Sequence, residues 1–177
     1  MSKFITFYIN NNTVETKIKN YSGLLDAWES YSELDKQKLL VGDFIYLVNI
    51  KKFSLNVISA LRIGEILTYE DFSQKYGEDL ADGWEHGKWF YVASEATTMT
   101  IDQEVEYEDA KKLRFEDGKD QLVFNPPGSK FLDSQTLRRP RLLTQSSAQI
   151  LNTYLDKFVK VLPAHINQWR TALKGKF

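Results

Sequence analysis

Short runs dense in β-branched and aromatic residues alternate along the chain with polar stretches that break them, a pattern that predicts a sheet of several strands. KFITFYIN, residues 3–10, is the first run and stops at Asn10-Asn11-Asn12, which reads as a strand ending in a turn. FIYLVNI (44–50) and LNVISALRIGEIL (55–67) read as a hairpin across Lys51-Lys52-Phe53-Ser54. In the second run Val57, Ser59, Leu61, Ile63, Glu65 and Leu67 alternate against Ile58, Ala60, Arg62, Gly64 and Ile66. Neither set is wholly polar, as expected in a small, strongly curled sheet, and Gly64 permits a bulge or bend. KWFYVAS (88–94) is a third strand, and LRFED (113–117) and QLVFN (121–125) read as strands across Gly118-Lys119.

Other segments repeat at helical spacing. Leu24, Leu25, Trp28 and Tyr31, behind Ser22, predict a short amphipathic helix over 22–31. Ile150, Leu151, Tyr154, Leu155, Phe158, Val159 and Leu162 make a longer stripe over 146–162, with Thr144, Ser146 or Ser147 as cap and Pro163 as stop. Residues 164–177 read as a further short basic helix, and the acidic connection 68–87 is long enough to hold a short helix or a function. Pro126-Pro127-Gly128 ends the sheet region. The fold class is therefore α+β: a small curved β-barrel of about five to six strands flanked by helices, with a C-terminal helical extension. The expected division is 1–145 for the barrel domain and 146–177 for helices packed on it or extending from it.

Composition narrows the chemistry. The 177 residues are 42% hydrophobic, 14% aromatic and 27% charged, which excludes a mainly disordered chain. Cysteine is absent, so disulfides, thiolate zinc sites, cysteine nucleophiles and thiol redox chemistry are excluded. His86 and His165 are the only imidazoles, too few for a His-rich zinc site. Gly83-Trp84-Glu85-His86-Gly87 lacks the spacing and the Lys-Ser/Thr of a phosphate loop, and no cofactor is implied. MSKFITFYIN has no signal-peptide pattern and no run approaches about 18 apolar residues, so a cytoplasmic protein without a membrane partner is expected.

Net charge is −1, but unevenly distributed: residues 1–127 carry 14 Lys/Arg against 22 Asp/Glu, and residues 128–177 carry nine against two. Such polarity either packs a basic end on an acidic body or orients a polyanion at one surface. Leu137-Arg138-Arg139-Pro140-Arg141-Leu142 sets three guanidiniums within four positions, with Lys130 upstream, a mixture suited to holding phosphates. The alternative is pairing with acidic patches of the same chain. Trp84 and Trp89 stand where a loop enters a strand, so each either offers an indole face for a base, worth about 1–3 kcal/mol in stacking, or covers the core. Trp28, on an apolar stripe, reads as core. Glu104 to Asp109 reads as a solvated acidic turn rather than a metal cluster, and His86 as a surface residue or a general base.

The order of elements, with Gly42-Asp43 before an apolar strand, Ala60 to Ile66, and Leu137 to Leu142 before a helix, resembles the PUA-like superfamily, in particular its EVE/YTH-like branch, over about residues 3–151. It departs from that branch at Ser59, Arg62 and Gly64, and lacks the Trp-x-Gly-x-Arg-Asn-Tyr signature of bacterial EVE domains. The resemblance implies a nucleic-acid-binding barrel whose pocket takes a modified, for example methylated, base in DNA or RNA. It makes Trp84 and Trp89 cage candidates, Asn10, Asn11 and Ser94 base-edge partners, and Arg138, Arg139 and Arg141 the holders of flanking backbone. A non-enzymatic reader is the leading expectation. The alternatives are an ASCH-like hydrolase of modified nucleosides using Lys88 and Glu65 for proton transfer, and a protein-interaction module.

Overall fold

The computed structural model describes residues 2–10, 12, 15, 23–30, 37–78, 88–116 and 121–166. Its strands, in chain order, are β1 Phe4–Tyr8, β2 Ala27–Ser30, β3 Phe44–Lys51, β4 Ser54–Thr68, β5 Trp89–Ala96, β6 Arg141–Leu143 and β7 Val159–Lys160. The helices are α1 Tyr69–Tyr76, α2 Tyr107–Ala110 and α3 Gln145–Asn152, with a 3-10 turn at Ser134–Leu137. The sheet is seven-stranded in the order β2-β5-β4-β3-β1-β6, with β7 on β5. The α+β class therefore holds; the expected curved barrel is not shown, because the sheet is open, with no pairing that joins β2 to β6 among the described residues.

β4 organises this sheet. Its 15 residues pair with β3 from Ser54 to Arg62 and with β5 from Leu61 to Thr68, so one strand serves different neighbours along its length and must coil. The coil is localised by irregular pairing beside Gly64 and Ser94, which the β4–β5 register skips in turn. A Cβ on Gly64 would stand 2.9 Å from both the Cβ and the backbone nitrogen of Ser94, so only glycine fits.

Both faces of the sheet are buried. Ile45, Leu47, Ile58, Leu61 and Ile63 pack on one side with Trp28, Phe72 and Phe90. Tyr46, Val48, Leu55, Val57 and Ala60 pack on the other with Leu113, Phe115, Leu132, Leu137 and Leu151. This two-sided burial explains why neither alternating set of β4 is polar. α1 fills part of the acidic connection: Thr68 Oγ1 accepts from Asp71 N at 3.1 Å, Gly77 with φ of +104° ends the helix, and Phe72 stacks on Phe90 at 4.2 Å. Residues 79–87 of that connection lie outside the described residues.

Three predicted elements differ. The helix expected over 22–31 is instead extended chain leading into β2, in which Ala27 and Trp28 are both buried and Trp28 pairs with Tyr91. Consecutive buried residues are what a strand covered on both faces requires, and edge pairing to β5 outweighs the coincidental helical spacing. Trp28 is core, as expected, edge-on to Phe7 at 5.3 Å.

The helix expected over 146–162 stops at Asn152. Thr144 caps it, as expected, but Thr153 Oγ1 donates back to the Ile150 carbonyl at 2.7 Å. Tyr154 then donates to Asp109, and Val159–Lys160 completes the edge of β5. LRFED and QLVFN are not partners of each other: Phe115 bridges Leu143, and Phe124 bridges Leu132. Residues 117–120 and the expected terminal helix beyond 166 lie outside the described residues.

Candidate functional site

Chain 122–143 is pinned to the sheet by a series of buried leucines. Leu122, Leu132 and Leu137 enter the second core and Phe124 packs half-buried against it, while Val123, Asn125 and Phe131 stay exposed. Asn125 N donates to the Phe131 carbonyl and Asp133 N to the Val123 carbonyl, both at 2.8 Å, forming a narrow ribbon turned by Pro126-Pro127-Gly128. Leu132 N donates to the Phe53 carbonyl at 2.8 Å and ties the ribbon to the β3–β4 turn. Asp133 Oδ1 accepts from Gln135 N at 2.8 Å, starting the 3-10 turn that delivers Arg138 and Arg139.

Arg138 and Arg139 are exposed on the wall of a groove of about 780 Å³, shared with Gln121, Gln135 and Thr136. Arg141 lines the same groove but is only 5% exposed. Its guanidinium carbon lies 3.7 Å from the centre of the Phe115 ring, and it donates to the Thr136 carbonyl at 3.4 Å. The three arginines of the motif therefore divide into two solvent-facing forks and one buried plate beneath them. None of the ion pairs among the described residues involves Arg138 or Arg139; these pairs join Lys51–Asp102, Arg62–Glu95, Lys75–Glu65, Lys111–Glu108 and Lys112–Asp109. Lys130 is exposed at the ribbon turn, its ammonium 5.8 Å from the Tyr107 ring centre, and is not on the groove wall.

Of the expected base-binding residues, the described ones, Trp89, Ser94 and Asn10, do not line this groove. Trp89 opens β5 opposite Thr68 and Ser30 and is half-buried against the first core. Ser94, half-buried, donates to the Arg62 carbonyl at 3.4 Å and fills the space beside Gly64. Asn10 is exposed just beyond β1. Trp84, Asn11 and His86 lie outside the described residues. Neither Trp89 nor Ser94 lines the arginine groove.

Of the two residues named for the hydrolase alternative, Lys88 is exposed just before β5 and Glu65 faces another lysine. Glu65 takes the Lys75 ammonium at 2.5 Å, and that hydrogen bond raises the Lys75 pKa above its ordinary value. Among the described residues no group of His, Asp and Glu is placed to hold a metal ion, and no helix is long and apolar enough to cross a membrane.

Two residues passed over in the sequence stand out here. Phe53 and Phe131 are 62% and 55% exposed. Their rings meet edge to face, with centroids 5.3 Å apart at 60°. The signal was present in Lys51-Lys52-Phe53-Ser54: an aromatic residue occupies a two-residue hairpin turn, where Asn-Gly fits the backbone best.

No family model matches the chain, and no curated protein matches it. Among solved structures it is similar to ASCH from Zymomonas mobilis, at 11% identity and a TM-score of 0.39, covering 88% of this chain and 97% of that one. It is also similar to a mutant form of the same protein, at 10% identity and a TM-score of 0.38, covering 87% and 99%. Likeness at this level assigns the chain to no family.

Proposed function

We propose that the protein binds nucleic acid, with Arg138 and Arg139 holding phosphates along the groove and Arg141 positioning their turn from below. The observation that carries this reading is the mounting of the two exposed guanidiniums: they project from a turn fixed by buried Leu137 and Arg141, and the described ion pairs leave them out. Arginine forks on a rigid base suit bidentate phosphate contact, and the excess of nine Lys/Arg over two Asp/Glu in residues 128–177 favours an anionic partner at this end. Lys130 adds charge at the ribbon turn.

The finer reading is a non-enzymatic, PUA-like reader of a modified base in DNA or RNA. In it, residues 1–145 form the recognition domain and 146–177 pack on it or extend from it. Trp84, Trp89, Asn10, Asn11 and Ser94 would take the base, since an added methyl buries apolar surface and strengthens stacking on indole. The resemblance of Gly42-Asp43, Ala60 to Ile66 and Leu137 to Leu142 to the EVE/YTH-like branch supports it.

The test is a binding panel of single- and double-stranded oligonucleotides, plain or carrying methylated cytosine or adenine, at two salt concentrations. The reading expects binding that weakens steeply with salt and a preference for one modified base that Trp84→Ala removes. Absence of binding across the panel rejects the nucleic-acid reading. Binding without any preference rejects the modified-base part alone.

A further inference from the structure

We propose that Phe53 and Phe131 form a stacking platform for one unpaired base of a single-stranded nucleic acid whose backbone lies in the neighbouring arginine groove. This inference rests on the nucleic-acid reading and adds a second contact point, distinct from the tryptophan site. Three observations carry it. The first is exposure: two large rings, each more than half open to solvent, sit against each other at the surface. Single exposed hydrophobic residues are ordinary, whereas adjoining aromatics form an apolar patch, and a ring held edge-on by its neighbour offers its own face to a planar partner.

The second is backbone conformation. Lys52 and Phe53 have φ of +50° and +65°, the left-handed pair that a two-residue turn between Lys51 and Ser54 demands. Glycine and asparagine occupy such positions with little cost, while a bulky aromatic residue is strained there. Phe53 nevertheless stays 62% exposed, with little burial to offset that strain. Strain kept in an exposed side chain points to a use outside the fold.

The third is continuity. Phe53 also lines a groove of about 410 Å³, with Ile50, Lys52, Asn125, Leu132 and Asp133, a volume in the range of small-ligand sites. Asp133 also lines the arginine groove, so the two recesses meet at that residue. A base on the phenyl rings would have a carboxylate and an amide at its edge and Lys52 beside it, with its neighbouring phosphates directed toward Arg138 and Arg139. A duplex hides its base faces in the stack, which selects a single strand.

Binding of a labelled oligothymidylate and of an abasic oligonucleotide of equal length, followed by fluorescence anisotropy, tests the inference on the full chain. Wild type should hold the base-bearing strand roughly five- to 150-fold tighter than the abasic one, at least the effect of one aromatic–base stack. Phe53→Leu with Phe131→Leu keeps apolar bulk, removes the rings, and should lower that ratio at least roughly fivefold without altering the salt dependence. Arg138→Gln with Arg139→Gln should weaken both strands alike and preserve the ratio. Equal binding of the two strands by wild type, or a ratio that survives the leucine pair, overturns the platform and leaves the groove reading standing; failure to bind either strand overturns both. If wild type self-associates and Phe53→Ser with Phe131→Ser is monomeric, the patch is an interface between copies and the inference is overturned.

Discussion

Arg141 sits over the ring of Phe115, its guanidinium carbon 3.7 Å from the ring centre, while Arg138 and Arg139, a few positions earlier, stand in solvent. One short motif thus serves two physical roles. Replacing Arg141 by Gln removes a buried cation–π contact and leaves the Thr136 carbonyl short of a donor, at an expected cost of about 1–3 kcal/mol in urea denaturation. Arg141→Lys should not restore it, because an ammonium cannot cover the ring as a planar guanidinium does. Arg138→Gln should stay within about 0.5 kcal/mol of wild type. Equal stability losses at the two positions would contradict the division of roles.

Gly64 is the point at which β4 meets Ser94 most closely. Gly64→Ala drives a methyl to 2.9 Å from Ser94 Cβ and backbone nitrogen and should cost about 1–3 kcal/mol, read as a lowered denaturation midpoint. Ser94→Gly in that background relieves only the side-chain half of the clash. Partial recovery is therefore expected, and strict additivity of the two changes would exclude direct contact.

Tyr46 is fully buried in the second core and donates to Asn152 Oδ1 at 3.0 Å, and burial pushes its phenol well above the ordinary tyrosine pKa. Because the folded state disfavours the phenolate, this contribution is intact below the unfolded tyrosine pKa of about 10 and is lost as pH rises beyond it. Tyr46→Phe should lower stability near pH 8 by about 0.5–1.5 kcal/mol and flatten the decline between about pH 9 and 11. An unchanged alkaline decline in this variant would show that other groups govern it.

Glu65 and Lys75 provide the test against the hydrolase alternative. Their pair is half-exposed, so Glu65→Gln should change stability by no more than about 1 kcal/mol and leave oligonucleotide binding unaltered. Methylated nucleosides incubated with wild type and followed by chromatography should remain intact. Turnover by wild type that is lost in Glu65→Gln would move the account to hydrolysis.

How much of this was legible in the sequence differs by element. The apolar density of β1, β3, β4 and β5 marked them correctly because strands buried on both faces leave little polar interruption. The spacing of Leu24, Leu25 and Trp28 misled, since three apolar residues fit a helix stripe as well as a buried edge strand, and only the partner β5 decides between them. The stripe running to Leu162 misled for a related reason: Tyr154, Leu155 and Phe158 do pack on the second core, but from turns whose direction is set by the Tyr154–Asp109 bond and by pairing to β5. At the site, the arginine cluster was visible as a motif, whereas the burial of Arg141 depends on Phe115, 26 positions earlier in the chain. Phe53 and Phe131 are 78 positions apart and become neighbours only through the Leu132–Phe53 backbone bond.

The salt dependence of binding to a single-stranded oligonucleotide, compared between wild type and Arg138→Gln with Arg139→Gln, tests the central claim most directly. Each phosphate contact on a single strand contributes about 0.7 to the slope of log affinity against log salt, so losing two contacts should flatten the slope by about 1.4. A slope that remains at its wild-type value in the double variant would contradict the claim that these two arginines grip the backbone.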